Sequence, residues 1–315
     1  MATPSPSNAA TLPPLVVILG PTASGKSALA ISLAESLNGE ILICDSTQIY
    51  RYFDIGTAKV PVAAQRNIPH HLVDLTEPQE VFTAGDYRRR AEEVLAAVRL
   101  RKKLPIVVAG TGLYLRALLE GLSEAPARSE ALRERLRRKS TQRGPKHLHR
   151  ILARLDSEAA ARIASRDTPK IIRAIELRIL VGKSVGEIHR AGRTALEGYE
   201  VRKIGLLPSR QALYARIDAR VESMLAAGWL DEVRQLIARG VPVDAKPFQF
   251  IGYSDLRAHF EGRLALPDAV AQIQQATRRF AKRQLTWFRK EPNVTWLNNF
   301  GDDPTTVSAA IESLR

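Results

Sequence analysis

Eight consecutive residues could do phosphate chemistry. Gly20-Pro21-Thr22-Ala23-Ser24-Gly25-Lys26-Ser27 fits the pattern G-x-x-x-x-G-K-[ST]. Glycines let such a loop turn its amide N–H groups inward as an anion nest. A following helix adds partial positive charge at its N-terminus. Lys26 supplies a point charge for a terminal phosphate, and the Ser27 hydroxyl suits Mg²⁺, a hard cation that prefers oxygen. The motif specifies a diphosphate or triphosphate and does not specify ATP. An ATPase needs a second strand ending in an Asp that holds Mg²⁺. Here the run Leu104–Ala109 ends in Ala109-Gly110, and only Asp45 and Asp74 end strand-like runs. A motor ATPase is disfavoured, whereas a kinase remains compatible.

Asp45 opens Asp45-Ser46-Thr47-Gln48-Ile49-Tyr50. Ligands of open parallel sheets bind beyond the carboxyl ends of strands. Asp45 therefore either takes a proton from a nucleophile or caps the next helix. Thr111 carries the same ambiguity between helix cap and active-site hydroxyl. Cys44 reads as buried core. His70-His71 lie near Asp74 without a third ligand, and His147 and His149 lack a ligand set. Arg216 and Arg220, four apart on one helix face, form either a bidentate diphosphate clamp or a solvated edge. Phe280, Gln284 and Trp287 share a face beside Arg283, which is either core or a stacking surface for bases.

These residues need a scaffold. Leu15–Leu19 reads as a buried strand before the glycine loop, and Ser27 to Leu37 as a helix ended by Asn38-Gly39. Glu40–Asp45 and Leu104–Ala109 read as strands, with His71–Asp74 a candidate third. Helices are expected from Ala84 to Arg101 and from Gly112 to Glu120. This alternation predicts an α/β fold, a P-loop NTPase-like parallel sheet with flanking helices. From about 122 to 200 the pattern is helical. Ser129 caps one helix, and Thr168-Pro169 opens another with Ile171, Ile175 and Ile179 on its apolar face. Val201–Leu207 returns to the sheet. Ser209 begins a helix carrying Leu213, Ile217 and Val221, and further helices cover 230–239 and 268–290. The expected organisation is a disordered tail (1–14), a catalytic core (15–121 and 201–315) and a mainly helical insertion domain (122–200).

Composition narrows the partner. Of 315 residues, 45% are hydrophobic and 25% charged, which excludes a wholly disordered chain. No run approaches the roughly 18 apolar residues that span a bilayer, so no membrane is expected. A single cysteine excludes a disulfide framework and a multi-thiolate zinc site. With an N-terminus unlike a signal peptide, this points to the cytoplasm. The net charge is +14. Residues 128–150 hold nine Lys/Arg against Glu130 and Glu134, and residues 268–290 hold six against Asp268. Two nearly single-sign runs fit a long polyanion that contacts both regions.

The ordered segments Gly20–Ser27, Asp45–Tyr50, 54–59, His70–Asp74, Gly110–Tyr114, Arg173–Glu176, Arg216–Met224, Ile251–Tyr253 and Thr277–Phe288 resemble bacterial tRNA dimethylallyltransferases, also called tRNA isopentenyltransferases (IPP transferases). Ser27 stands where Thr is common, and Ala109 replaces a frequent Gly. The resemblance covers about residues 15–297. It implies transfer of a dimethylallyl group from dimethylallyl diphosphate to N6 of the adenosine just 3′ of the anticodon in tRNA. Mg²⁺ is the expected cofactor, with Ser27 its protein ligand and ATP not consumed. It implies roles in the reaction for Lys26, Asp45, Thr111, Arg216 and Arg220. It implies contact with the tRNA anticodon stem-loop by Asp45, Ser46, Thr47, Gln48, Thr111, Lys170, Arg173, Gly252 and Tyr253. The two basic runs extend that contact to Arg133, Arg278, Lys282 and Arg283. A monomer is expected. The rival readings are a P-loop kinase of a nucleoside or small metabolite, an RNA-binding nucleotide switch, and a transferase acting on free adenylate.

Overall fold

A computed structural model describes residues 12–123, 126, 128–190 and 192–314. Most of the expected N-terminal tail, residues 1–11, lies outside the described residues. The sheet begins one residue before the expected boundary, because Pro14 opens the first strand and the Pro13 carbonyl accepts from Glu200 N.

Six parallel strands form one sheet: β1 (Pro14–Leu19), β2 (Gly39–Cys44), β3 (His70–His71), β4 (Leu104–Ala109), β5 (Glu200–Leu206) and β6 (Val294–Leu297). Their order is β3-β2-β4-β1-β5-β6. β1, β2 and β4 are nearly continuous apolar runs because parallel strands are covered on both faces. Val16, Ile18, Ile41, Ile43, Ile106 and Val108 join one core cluster with α1 (Lys26–Leu37) and α13 (Pro304–Leu314). The alternate residues face the other way, toward α2 (Ala84–Leu100), whose Tyr87 meets Cys44. Register sets the site. Leu19 pairs with Ala109, and Ala109 with Cys44. The segments after β1, β2 and β4 therefore leave the sheet at one level, bringing the glycine loop, Asp45 and Gly110 together.

The chain divides into two compact units, residues 1–119 with 197–315, and Glu120–Leu196. The first also contains α3 (Gly112–Leu119), α9 (Arg210–Ala226), α10 (Trp229–Ala238), α11 (Tyr253–Phe260) and α12 (Leu266–Phe288). The second is helical: α4 (Glu130–Arg143), α5 (Pro145–Leu155), α6 (Ser157–Arg162), α7 (Thr168–Val181) and α8 (Val185–Arg190). Its core joins Leu136, Leu148, Leu152, Ile171 and Ile175. Ser129 caps α4 by accepting from Leu132 N. Ile179, expected on the buried face of α7, is instead 54% exposed. The α5 and α4 helices pack on α7, whose Ile171, Ile172 and Ile175 join that core, while Leu180 and Val181 at its end are exposed as Ile179 is.

One buried carboxylate braces the sheet away from the glycine loop. Glu40 on β2 accepts two hydrogen bonds from Arg101, at 2.9 and 2.7 Å, and lies 2.7 Å from His71 Nε2. The Arg101 hydrogen bonds chiefly, with His71 helping, hold its carboxyl down to about 2 against the cost of burial. A carboxyl held below its unfolded value stabilises the fold above that value and loses the effect as pH falls toward 2. Glu40→Gln is therefore expected to lower stability by about 2 kcal/mol at pH 7, less than a fully buried pair because Arg101 is half exposed. Denaturant melts at pH 7 and pH 3 check this, with the gap narrowing at pH 3.

Candidate active site

The glycine loop closes on itself in a shape its sequence dictates. Gly20, Ala23 and Gly25 have φ of 151°, 63° and 89°. A Cβ at Gly25 would lie 2.7 Å from Gly301 N, so only glycine fits there. Lys26 Nζ donates to the Gly20 and Pro21 carbonyls at 3.0 and 2.8 Å. Burial lowers its pKa to about 8, Asp45 opposes that fall, and Arg220 adds to it.

Asp45 follows β2 in a turn, and no helix follows for it to cap. Its Oδ1 accepts from Thr47 N at 2.9 Å and Thr47 Oγ1 at 2.7 Å. Its Oδ2 lies against Gly110, where an added Cβ would sit 2.2 Å away. Thr111 immediately precedes α3, yet its side chain crosses to the neighbouring loop. The hydroxyl accepts from Ser46 N at 2.9 Å and donates to Ser46 Oγ at 3.1 Å. Gln48 spends its amide on the Thr57 and Ala58 carbonyls, at 3.0 and 3.3 Å. Cys44 is fully buried and its thiol is pushed up to about 12, a core group rather than a nucleophile.

A cleft of about 470 Å³ lies over the loop, lined by Thr22–Ala28, Asp45, Gly110, Arg216, Arg220, Phe280 and Gln284. Arg216 and Arg220 of α9 both line it, in different surroundings. Arg216 forms a two-point ion pair with Asp302 at 2.8 and 2.7 Å and stacks over Phe300. Arg220 makes no ion pair among the described residues. Burial chiefly, then the Arg216 charge, lower its pKa against the pull of Asp45. A second chamber of about 310 Å³ shares Thr22, Asp45, Arg220 and Phe280 with the first. Its other walls are mostly apolar: Ile217, Val221, Met224, Trp229, Phe250, Ile251 and Ile273. The site thus has a cationic end and a greasy end that meet at Asp45 and Arg220.

Several expected contact residues serve other purposes. Tyr253 is fully buried beside Phe53 and Trp229, and its hydroxyl donates to Glu232 at 2.6 Å. The same carboxylate accepts from Asp54 N and Ile55 N, while Gly56 and Gly252 make room for the Trp229 ring. Gly252 and Tyr253 therefore build the wall behind the apolar chamber and offer no surface to RNA. Arg133 is 12% exposed and pairs with the fully buried Glu176, which Arg173 also contacts at 2.6 Å. That pairing satisfies a buried charge and leaves Arg133 unavailable to phosphates. Arg278 pairs with Asp218. Lys170 is 71% exposed, bonded to Asp167, and Lys282 and Arg283 are exposed. Trp287 is half-buried, packed on Gly112 with Arg116 over its ring, so that ring face is already occupied.

Sequence reasoning missed the C-terminal wall. Gly301 N donates to Ser24 O at 2.9 Å, and Asp302 meets Arg216. The sequence shows Gln284 only by its helix face and Ile251 only within the segment Ile251–Tyr253, and the chamber residues Trp229 and Phe250 carry no local signal. Among the described residues no group of three His, Cys, Asp or Glu is placed to hold a metal ion. Among the same residues no helix is long and apolar enough to cross a membrane.

The geometry matches known proteins along the whole chain. A profile described as IPP transferase matches residues 48–291. The tRNA dimethylallyltransferase of Solibacter usitatus is 49% identical over 299 residues, covering 95% of this chain and 97% of that protein. That of Koribacter versatilis is 49% identical over 307 residues, covering 96% and 98%. The crystal structure of a tRNA isopentenylpyrophosphate transferase from Bacillus halodurans superposes with a TM-score of 0.70 at 36% identity, covering 96% of this chain and 95% of its own. A eukaryotic dimethylallyltransferase captured crystallographically acting on tRNA gives 0.79 at 25% identity, covering 96% of this chain and 78% of its own. The profile covers most of the sequence and relatives near half identical run almost its full length: the chain belongs to the IPP transferase family.

Proposed function

We propose that this chain transfers the dimethylallyl group of dimethylallyl diphosphate to N6 of the adenosine on the 3′ side of the anticodon in tRNA, releasing diphosphate. The observation that carries this is the joined cleft, a cationic phosphate cradle opening at Asp45 and Arg220 into an apolar chamber. An allylic diphosphate has the same division, and a flat base needs the apolar walls. The C–O bond to the diphosphate breaks, the N6–C bond forms, and the N6 proton passes to Asp45. The loop amides, Lys26 and Arg220 stabilise the charge that grows on the departing diphosphate. Arg216, engaged by Asp302, supports that end of the cleft. Thr111 fixes the Asp45–Ser46 turn beside the reacting nitrogen.

The donors suit Mg²⁺. Ser27 is a hard oxygen on the cleft wall in the first turn of α1, and Mg²⁺ takes few protein ligands beside phosphate oxygens. Ser27 would hold it, and the bound ion supplies positive charge to the diphosphate. The protein works in the cytoplasm as a monomer. The P-loop kinase finds no support among the relatives, and the joined apolar chamber is superfluous to it.

The test incubates the protein with Mg²⁺, dimethylallyl diphosphate and unmodified tRNA, and analyses the nucleosides by mass. A dimethylallyl adenosine with stoichiometric diphosphate release supports the reading. Unchanged nucleosides, or cleavage of added ATP instead, overturn it.

Exposed cations on α4 and α5, including Arg135, Lys139 and Arg143, face solvent. They provide a phosphate-binding surface without the buried Arg133. Changing these three to Glu is expected to weaken tRNA binding by at least tenfold and flatten its salt dependence by about three charges. Affinity for dimethylallyl diphosphate should not change. Filter-binding titrations across salt concentrations check both.

A further inference from the structure

One buried side chain ties the two halves of the reaction together. Gln284 on α12 is 6% exposed. Its Oε1 accepts from Thr22 N at 2.7 Å, and its Nε2 donates to Gly110 O at 2.8 Å. Only this orientation of the amide satisfies both partners, since a backbone N–H can only donate and a carbonyl only accept. Thr22 belongs to the loop that cradles phosphate. Gly110 is the residue against which Asp45 Oδ2 rests, and the next residue, Thr111, holds Ser46. No other side chain among the described residues is hydrogen-bonded to both loops.

We propose that Gln284 is a positioning residue that sets the spacing between the diphosphate cradle and the proton-accepting turn. It lines the cleft, but its amide oxygen and nitrogen are each engaged by backbone. Its amide fixes the loop that holds one relative to the backstop of the other. The two loops follow different strands, and β1 and β4 constrain them only as far as Leu19 and Ala109. Beyond those residues Gln284 supplies a cross-link at the height where bond making occurs. An amide does this where Leu or Met cannot, because Gly110 C=O is buried and Thr22 N–H partly buried, and each needs a partner. Glutamate, of the same shape, can accept from Thr22 but has no proton for Gly110.

This rests on the proposed transferase activity, and the experiment separates the two. Q284E and Q284M are compared with the parent protein in three measurements: single-turnover transfer to tRNA, binding of dimethylallyl diphosphate, and hydrogen exchange at the Thr22 amide. A misplacement of about 1 Å at a reacting centre costs roughly 100-fold. Transfer by Q284M is expected to fall by about that factor, and by Q284E by about tenfold, with diphosphate affinity within about threefold. Thr22 exchange should accelerate at least tenfold in Q284M and stay protected in Q284E. Parent-like transfer in either variant overturns the proposal. So does a parallel loss of diphosphate affinity and transfer, which would mark Gln284 as support for the cradle alone. If Q284M does not fold, Q284E decides by its split between affinity and rate. If the parent protein forms no modified adenosine, the transferase reading fails and Thr22 exchange alone judges the cross-link.

Discussion

Replacing Asp45 by Asn is expected to slow transfer by about a thousandfold while tRNA binding stays within about threefold. Proton removal by a placed carboxylate contributes roughly 10²–10⁴ to a rate. The asparagine variant isolates that contribution, because its carbonyl can still accept from Thr47 N and Thr47 Oγ1 and so keep the turn. Alanine would free the turn as well and confuse lost basicity with lost order. The aromatic amine of adenine is a weak nucleophile, and it gains most when its proton has somewhere to go as the N–C bond forms. Single-turnover transfer with saturating tRNA is the measurement. A rate within tenfold of the parent protein would remove Asp45 from the chemistry.

Lys26→Met should weaken binding of dimethylallyl diphosphate by about 100-fold and slow transfer by at least as much, since the ammonium faces charge that increases as diphosphate departs. Arginine would not rescue it. The Lys26 pocket accommodates a compact ammonium between the Gly20 and Pro21 carbonyls, and a planar fork does not fit that geometry. The parent protein should show the same dependence through pH. Burial depresses the Lys26 pKa to about 8, so the ammonium predominates at pH 7 and is lost as pH rises through 8. Affinity for the diphosphate should therefore fall above about pH 8, and the fall should be absent in Lys26→Met. Calorimetric titrations from pH 6.5 to 9.5 check both. A flat profile in the parent protein would show that Lys26 does not hold the charge assigned to it.

The phosphate loop was legible because its physics is local. Glycines, a lysine and a hydroxyl at fixed spacing dictate a backbone shape within eight residues. The strands before the loop, before Asp45 and before Gly110 were legible as apolar runs, since parallel strands are buried on both faces. The α9 face of Leu213, Ile217 and Val221 was legible from helical period, and all three are buried. Long-range pairings were not. Arg133 looks like one more cation in a basic run until Glu176, far along the chain, is folded beneath it. Tyr253 looks available until Trp229 and Glu232 enclose it. β6 is a four-residue strand with no strong pattern of its own. It exists because β5 presents an edge to pair with. Gln284 shows in sequence only the helix face it shares with Phe280 and Trp287; its cross-link appears once both ends of its amide find partners on separate loops.

The contact of Gly301 and Asp302 with Ser24, Gly25 and Arg216 also orders assembly in time. The nest is written early in the message, and its outer wall nearly 280 residues later. At ribosomal speeds that separates the two by tens of seconds. Until then the nascent chain carries a motif without the enclosure that gives it shape, so the cradle is among the last parts of the catalytic unit to mature.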